Sequence, residues 1–309
     1  MKRESNAPEN ELTIKPVTLG KFLDHDFPKR DAILKGLLYR QDLAMIYGPR
    51  GVGKTRIACE IAYAVASGGK FGPWKAPQAR KVLLLDGEMA GRPLQKRIER
   101  IHRSEKSDLV LSKIRIVTPD MHGGILPKLD TVEGQDALQE AMPKGVELII
   151  VDNLSCWTPS AADDALAWEI VARWARRRRS EGVAVVFMHH ANKLGGQRGT
   201  SRKEDLLDLV LKVAPPKGHL PENATVMDIR FEKARELSPG RQKPRRAQFQ
   251  ESNGTRAWRW SAVVDATARQ DQIRQLRGSG MSMSEIGKKL SINKSTVSRV
   301  LSRVGGQPG

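Results

Sequence analysis

The residues best suited to chemistry in this sequence form a glycine-rich loop that ends in a lysine and a threonine. Gly48 is followed by four residues and then by Gly53, Lys54 and Thr55, which is the spacing of a P-loop. Glycines let the backbone turn tightly enough to aim its N–H groups at phosphate oxygens. The lysine then reaches the β- and γ-phosphates of a nucleotide, and the threonine hydroxyl can hold Mg²⁺. The predicted phosphate-binding set is Gly48, Pro49, Arg50, Gly51, Val52, Gly53, Lys54, Thr55 and Arg56.

The residues on either side supply the elements that position such a loop. The apolar run Leu43–Tyr47 predicts a buried strand, and Arg56–Ala66 predicts an apolar helix whose positive N-terminal end faces the phosphates. A glycine turn that binds nothing is the alternative. Because strand, loop and helix occur in the required order, the sequence predicts binding of ATP with Mg²⁺.

Three further polar side chains, Glu88, Asp152 and His190, follow or end predicted strands. Ligands of an open parallel sheet bind beyond the C-terminal ends of its strands. Asp152 follows an apolar run, as does a Walker B carboxylate that orients Mg²⁺, with Thr55 as the other metal-binding residue. Glu88 is placed to take a proton from the water that attacks the γ-phosphate, or to orient that water. His190 could hydrogen-bond the γ-phosphate.

Each of these three residues also has an interpretation without chemistry. Asp152 could cap a helix or turn, Glu88 could be a solvated turn carboxylate, and His190 could be a satisfied core histidine.

Alternating apolar runs and helical patterns predict an α/β fold with a mainly parallel sheet flanked by helices. Strands are predicted at Leu43–Tyr47, Lys81–Leu85, Ile114–Val117, Glu147–Val151, Val183–Met188 and Thr225–Phe231. Further helices are predicted at Arg92–His102, Gly134–Met142 and Ala161–Glu181. The last helix ends in Arg176–Arg179, which is interpreted as a solvated helix end, with a DNA contact as the alternative.

The charge of the chain points to a polyanionic partner. The formal net charge is +18, and residues 236–309 carry 14 Lys or Arg against 5 Asp or Glu, which is +9. Nucleic acid is the first candidate partner, and a generally basic protein is the alternative. The two cysteines predict neither a disulfide framework nor a zinc site. With no apolar run of membrane-spanning length and no apolar signal core at the N-terminus, we expect a cytoplasmic protein without a membrane partner.

The C-terminal residues predict a small module of three helices, Gln270–Arg277, Ser284–Leu290 and Lys294–Val304. Ser282 or Ser284 is a natural N-cap for the second helix. This pattern is similar to the helix-turn-helix of resolvases and small regulators, which binds duplex DNA. Its DNA-contacting residues would be Lys294, Ser295, Thr296, Ser298, Arg299 and Arg303. A three-helix module for protein interaction is the alternative.

Several motifs together resemble the RecA-like ATPases, and especially the plasmid RepA-type hexameric replicative helicases. They are the P-loop, DGE at 86–88, IIVDN at 149–153, FMHHANK at 187–193, QRGTS at 197–201 and FEKAR at 231–235. The resemblance covers roughly residues 43–235. The C-terminal module departs from the plainest RepA-type helicases, which end with the ATPase domain.

This resemblance implies a role for each matching residue. Lys54 and Thr55 bind phosphate and Mg²⁺, Glu88 is the catalytic carboxylate, Asp152 is the Walker B acid and His190 is the sensor of the γ-phosphate. Arg198 would lie in a loop that faces single-stranded DNA in a central channel. Lys233 and Arg235 match a Lys-x-Arg pair that is supplied to the ATP of a neighbouring subunit; an exposed basic pair without that role is the alternative. The implied assembly is a hexameric ring.

Four segments are therefore predicted: a polar lead-in at 1–33, a RecA-like ATPase domain at 34–236, a basic linker or outer hairpin at 237–265 and a helix-turn-helix domain at 266–309. The predicted function is that of a DNA-dependent ATPase, as a replicative helicase or DNA-remodelling motor. A DNA-binding regulator switched by ATP, without unwinding activity, is the main alternative, and a small-molecule phosphotransferase is a third.

Overall fold

The structure is a computed structural model that describes residues 15–158, 165–191, 205–216, 224–252, 255–263, 266–290 and 292–302. Its strands are β1 Ala32–Leu34, β2 Leu38–Tyr39, β3 Leu43–Gly48, β4 Lys70–Phe71, β5 Trp74–Lys75, β6 Val82–Asp86, β7 Ile114–Val117, β8 Leu148–Asp152, β9 Ala184–His190, β10 Leu209–Ala214, β11 Ala224–Ala234, β12 Arg245–Ser252 and β13 Thr255–Ala262. Its helices are α1 Leu19–Leu23, α2 Lys54–Ser67, α3 Gly91–Glu105, α4 Leu109–Lys113, α5 Val132–Ala141, α6 Leu154–Trp157, α7 Ala165–Ser180, α8 Ala266–Gly278, α9 Met283–Leu290 and α10 Lys294–Ser302. Short 3₁₀ turns occur at Pro119–Met121 and Pro239–Arg241.

Nine of these strands form one twisted sheet in the order β13-β12-β11-β10-β3-β9-β8-β6-β7. The six strands from β10 to β7 pair in parallel, and β10 to β13 pair as an antiparallel extension. The predicted α/β class with a mainly parallel sheet is confirmed, and all six predicted strands are present. Sequence reasoning missed β10, and it gave the two strands beyond β11 only as one of two alternatives, an outer hairpin or a linker.

The sheet is buried on both faces because its central strands are apolar on both. In β3, Leu43, Met45 and Tyr47 point into one core and Ala44 and Ile46 into the other. Helices α2 and α3 cover the second face, and α6 and α7 cover the first. Continuous apolar runs of this kind are what a parallel sheet between two helical layers requires.

The segment predicted as a linker or outer hairpin contains β12 and β13, which extend the sheet. Glu60 of α2 accepts hydrogen bonds from Arg256 and from the indole Nε1 of Trp258 at 3.0 Å, both on β13. The Glu60 and Arg256 side chains are almost fully buried. The hairpin is therefore fastened directly to the helix that follows the P-loop.

The arginine run at the end of α7 is only in part the solvated helix end that the sequence predicted: Arg176 and Arg177 are exposed, but the next two arginines are not. The side chain of Arg178 is buried, and it donates to Gln139 and, at 3.0 Å, to Glu181. Arg179 donates to the carbonyl of Gln41 at 3.0 Å and pairs with Asp208. These two arginines hold α7 against its neighbours, so the interpretation as a DNA contact does not apply to them.

The three C-terminal helices pack around a small core of their own, with Ile273, Ile286 and Val297 buried. A capping box starts α9: the N–H of Ser282 donates to Glu285 at 2.8 Å, and the N–H of Glu285 donates to the Ser282 hydroxyl at 3.2 Å. Ser282, rather than Ser284, is therefore the N-cap.

Within the described part of the chain, no helix is both long and apolar enough to cross a membrane.

Candidate functional site

The carboxyl ends of four parallel strands lie side by side, and polar residues with possible chemical roles stand at or just beyond these ends. In the order β3-β9-β8-β6, Gly48 is paired in register with His190, and Asp152 with Asp86. The P-loop follows β3 directly, and Glu88 lies two residues beyond β6. Register alone therefore brings together the predicted residues Lys54, Thr55, Glu88, Asp152 and His190.

The shape of the P-loop explains two of its glycines. A Cβ on Gly48 would lie 2.1 Å from the carbonyl oxygen of Val213 on β10, so a side chain cannot fit there. Gly53 has φ +105°, in the left-handed region that disfavours other residues, and it precedes the first residue of α2. The Nζ of Lys54 donates to the carbonyls of Gly48 and Pro49, each at 2.9 Å. The loop therefore closes around the lysine.

The charges around Lys54 depend on one another. Burial lowers the pKa of Lys54, while Glu88 and Asp152 oppose that shift. Burial raises the pKa of Asp152 to about 7, against the opposing effects of the nearby Thr55 side chain and the charge of Lys54. A cation beside Asp152 would compensate a carboxylate charge that burial makes unfavourable.

The residues present fit a magnesium ion. Both carboxylate oxygens of the buried Asp152 lack a hydrogen-bond partner among the described residues, and the Thr55 side chain is nearby. Carboxylate and hydroxyl oxygens are the ligands that Mg²⁺ prefers. Among the described residues, no group of three or more His, Cys, Asp or Glu could hold a metal by itself. A site with few protein ligands is typical of Mg²⁺ that arrives with nucleotide phosphates.

Glu88 and His190 are joined by a residue that sequence analysis did not single out, Asn153. The Nδ2 of Asn153 donates to Glu88 Oε2 and lies 3.2 Å from His190 Nε2. Glu88 Oε2 and His190 Nε2 are 4.0 Å apart. Its Oδ1 accepts from the N–H of Cys156 at 3.3 Å and caps α6. If the amide donates to both neighbours, Nε2 of His190 is the acceptor and its proton lies on Nδ1.

Asp86 is a second residue that the sequence analysis missed. It is fully buried, and its Oδ1 accepts the N–H groups of Glu88 at 3.1 Å and Met89 at 2.8 Å. Burial raises its pKa. Asp86 therefore fixes the turn that carries Glu88. The position of Asp86 at the end of an apolar run was a usable signal, the same one that identified Asp152.

A cleft of about 280 Å³ opens one residue beyond the P-loop threonine. It is lined by Arg56, Met89, Pro93, Lys96, Arg97, Arg100, Glu251 and Arg256. The guanidinium of Arg56 stacks over the ring of Phe249 on β12, 3.7 Å from its centroid. Helices α2 and α3 and the β12–β13 hairpin together form this positively charged cleft.

The sequence model of the AAA domain family matches residues 8–196, more than half of the chain. The chain belongs to this family of P-loop ATPases. The matched region contains the P-loop, Glu88, Asp152 and His190. Lys233, Arg235 and the three C-terminal helices lie outside the match.

Comparison with individual proteins gives more distant similarities. The protein DNA repair protein RadA of Mycobacterium tuberculosis, from strains CDC 1551 and H37Rv, is 24% identical over 187 residues, which cover 59% of this chain and 33% of RadA. The chain thus spans about a third of the length of these relatives. A KaiC-like protein of Pyrococcus horikoshii OT3 superposes with a TM-score of 0.48 at 14% identity, covering 75% of this chain and 96% of that protein. The RadB recombinase superposes with a TM-score of 0.47 at 14% identity, covering 70% and 90% of the two chains.

Lys233 and Arg235 lie at the opposite end of the strands from the P-loop. β11 is antiparallel to β10, and Leu209 of β10 pairs with both Ala234 and Ala44. The end of β11 is therefore level with the start of β3, with β10 between them. The six residues of β3 span about 20 Å. Arg235 donates to the carbonyl of Asp205 at 2.7 Å and lies 3.5 Å from a carboxylate oxygen of Asp208. The structure therefore does not bring this pair to the phosphate site of its own chain.

The predicted DNA-binding residues are only partly described. Arg198 and Arg303 lie outside the described residues. On α10, Lys294, Ser295, Ser298 and Arg299 are exposed and Thr296 is half-buried. The exposed residues flank the buried Val297, so the outer face of α10 is polar and basic.

Proposed function

We propose that this protein is a DNA-dependent ATPase of the RecA-like type, acting as a RepA-type helicase or a related DNA-remodelling motor. The observation that carries the proposal is the meeting of the P-loop, Asp152, Glu88 and His190 at the ends of four parallel strands. Family membership supports ATP hydrolysis, and the distant relative whose name refers to DNA repair supports a DNA substrate.

In this proposal the chain's own residues position ATP and a water molecule. The P-loop N–H groups and Lys54 would hold the phosphates, and Thr55 and Asp152 would hold Mg²⁺, whose positive charge would offset that of the phosphate oxygens. Glu88 accepts a proton from the attacking water or orients it, and Asn153 holds that carboxylate in place. His190, on the other side of Asn153, is placed to detect the γ-phosphate.

The cleft beside Arg56 is the proposed position of the nucleoside. Arg56 directly follows Thr55, so a nucleotide whose phosphates lie on the P-loop has its nucleoside within reach of this cleft. Met89 and Pro93 offer apolar surface to a base, and the surrounding cations favour the adjoining phosphates.

The site is proposed to be completed between subunits of a ring. Lys233 and Arg235 are about one strand length from the P-loop of their own chain, but a neighbour in a head-to-tail assembly could present them to it. Arg235→Ala should then abolish hydrolysis while nucleotide binding persists. Mixing Arg235→Ala subunits with Glu88→Gln subunits should restore part of the activity, because some interfaces then combine an intact Glu88 with an intact Arg235. No recovery on mixing would contradict completion between subunits.

The test of the main proposal is the ATPase rate with and without single-stranded and duplex DNA. We expect single-stranded DNA to stimulate hydrolysis by the wild type. Glu88→Gln should reduce the rate by about 10²- to 10⁴-fold with nucleotide binding preserved, since it removes a general base. Glu133→Gln, an exposed acid on α5, is the matched control and should retain the wild-type rate. A rate that ignores DNA would contradict the motor proposal.

The three-helix C-terminal module favours a second candidate, an ATP-switched DNA-binding regulator. Its compact core and the exposed basic face of α10 are independent of the ATPase site. Unwinding of a forked duplex supports the motor. Footprinting at one discrete duplex site with no unwinding supports the regulator.

A further inference from the structure

The cleft beside Arg56 holds more positive charge than its own residues neutralise. Of the eight residues that line it, five are Lys or Arg and one, Glu251, is an acid. Two of the cations have carboxylate partners: Arg256 is paired with Glu60 of α2, and Arg100 lies 3.3 Å from Glu251. The other three cations share one cleft without a carboxylate of their own.

These three cations are Arg56, Lys96 and Arg97. Within the described part of the chain, none of them forms an ion pair or donates a side-chain hydrogen bond. The guanidinium of Arg56 is held in place by its contact with the ring of Phe249. Burial lowers the pKa of Arg56, and the charge of Arg97 lowers it further, which nearby carboxylates oppose. Because like charges at close range repel each other, an anion between these side chains would be bound favourably.

We propose that this cleft binds a phosphate group in addition to those that the P-loop holds. A guanidinium group binds phosphate through two parallel N–H donors, and such charge-assisted hydrogen bonds are stronger than neutral ones. The volume of about 280 Å³ is many times the roughly 10–15 Å³ that a single water molecule needs. The adenine and ribose of ATP are uncharged, so a nucleoside in the cleft would leave the three cations without an anion.

The position of the cleft limits which phosphate can reach it. Arg56 directly follows Thr55 and Met89 directly follows Glu88, so the cleft adjoins the site in which the 5′-phosphates of ATP are proposed to lie. A further phosphate has two possible sources, a nucleotide that also carries one on its ribose 3′-oxygen, and a free phosphate or pyrophosphate ion. The first source rests on the proposed position of the nucleoside, whereas the anion site itself does not. A 3′-phosphorylated nucleotide would compete with ATP and inhibit hydrolysis.

Calorimetric titration of the full-length protein tests the first source. The two ligands are ADP and ADP that carries a 3′-phosphate, which differ only in that group. We expect the 3′-phosphate to raise the affinity by about tenfold or more. Arg97→Gln should bring the ratio of the two affinities close to one, and since Arg97 has no partner among the described residues the variant should fold normally. Arg92→Gln, at an exposed position of α3 outside the cleft, is the matched control and should keep the wild-type ratio.

A second titration tests the free ions, with pyrophosphate added to protein that is saturated with ADP and Mg²⁺. Binding of pyrophosphate that Arg97→Gln abolishes, without a gain from the 3′-phosphate, would support the site and assign it to free anions. If ADP binds but neither phosphate probe depends on Arg97, the anion site is overturned and the proposed function stands.

Two further outcomes separate the remaining possibilities. Binding of oligothymidylate that depends on Arg97, with neither phosphate probe bound, would assign the cleft to the DNA backbone and overturn the proposal. A protein that binds no ADP would contradict the proposed function, and the dependence of pyrophosphate binding on Arg97 would still decide whether the anion site exists.

Discussion

At the scale of single residues, Asn153 connects three parts of the candidate site. Its amide nitrogen contacts both Glu88 and His190, and its carbonyl oxygen caps α6. Asn153→Ser keeps an N-cap oxygen but removes the amide. We expect this variant to fold like the wild type and to have a kcat lower by about tenfold to a hundredfold, because Asn153 positions a general base without being one. ATPase kinetics measure this effect, and KM should change little.

Asn153→Ala is the matched comparison for that experiment. It loses the amide and the cap together, so its free energy of unfolding should fall by about 1 kcal/mol relative to Asn153→Ser. If Asn153→Ser hydrolyses ATP at the wild-type rate, the amide does not position Glu88.

A second residue-scale prediction concerns Arg30 and the buried carboxylate of Asp42. Burial raises the pKa of Asp42 to about 6, against the opposing effects of the Tyr39 N–H and the charge of Arg30. The carboxyl is therefore mainly neutral at pH 5 and ionised at pH 8. Arg30→Gln should lower the free energy of unfolding by about 1–2 kcal/mol at pH 8 and by less at pH 5, since Arg30 is partly exposed and its Asp42 partner is ionised mainly at the higher pH. The second ion pair of Arg30, with Glu236 at 2.7 Å, does not involve Asp42 and contributes separately.

Urea unfolding at the two pH values measures this difference. In an Asp42→Asn background, Arg30→Gln should have similar effects at both. Equal destabilisation by Arg30→Gln in the wild-type background would show that the Arg30–Asp42 pair is not responsible.

A residue of the site could be predicted only where a local sequence pattern identified it. Glu88, Asp152 and His190 could be found because each is a polar residue at or near the end of an apolar run. Asn153 could not be assigned its role, because its contacts depend on the register of β6, β8 and β9, which places residues 65 and 37 positions apart beside it. Arg178 was misinterpreted because its place in a run of arginines at a helix end does not show which neighbouring elements bury its side chain.

At the scale of elements, a buried ion pair between Arg256 and Glu60 helps to fasten the β12–β13 hairpin to α2. Arg256→Met should lower the free energy of unfolding by about 3 kcal/mol, because it leaves the Glu60 carboxylate buried without its partner. Adding Glu60→Gln to that variant should recover part of the loss by removing the uncompensated charge.

Urea denaturation measures both variants. Arg259→Met, an exposed position on the same strand, is the matched control and should change stability little. If the double variant is no more stable than Arg256→Met, the lost stability comes from packing rather than from the unpaired charge.

The elements were predicted correctly where the apolar pattern of the sequence was strong. The apolar runs of β3, β6, β8 and β9 identified the buried parallel strands, because strands covered on both faces have few polar residues. The hairpin strands β12 and β13 have a weaker signal, alternation of polar residues with Ala247, Phe249, Trp258 and Trp260. Neighbouring proline, glycine and arginine left a linker and an outer hairpin as alternatives. The burial that makes these strands part of the sheet comes from α2 and from Phe71 and Trp74, which are distant in sequence.

At the scale of the whole molecule, positive charge is concentrated at the C-terminal end of the chain. If α10 contacts duplex DNA, Arg299→Ala should lower the slope of log affinity against log salt by about one, the value for a single phosphate contact. Arg277→Ala, at the end of α8, is the matched control and should leave the slope unchanged. Binding titrations at several salt concentrations measure both slopes, and equal slopes for the two variants would count against α10 as the DNA-contacting helix.

The fastening of the hairpin to α2 also limits how independently the two ends of the protein can behave. β13 ends at Ala262 and α8 begins at Ala266, so the leash between them can extend to at most about 15 Å. Helix α2 starts at Lys54, and its Glu60 is hydrogen-bonded to Arg256 of β13. Because the connection from β13 to α8 is short, a tilt of α2 on nucleotide binding that moved β13 would also move the start of the C-terminal helices. Thermodynamic reciprocity then requires that, if ATP changes the affinity for duplex DNA, the same DNA changes the affinity for ATP by an equal factor.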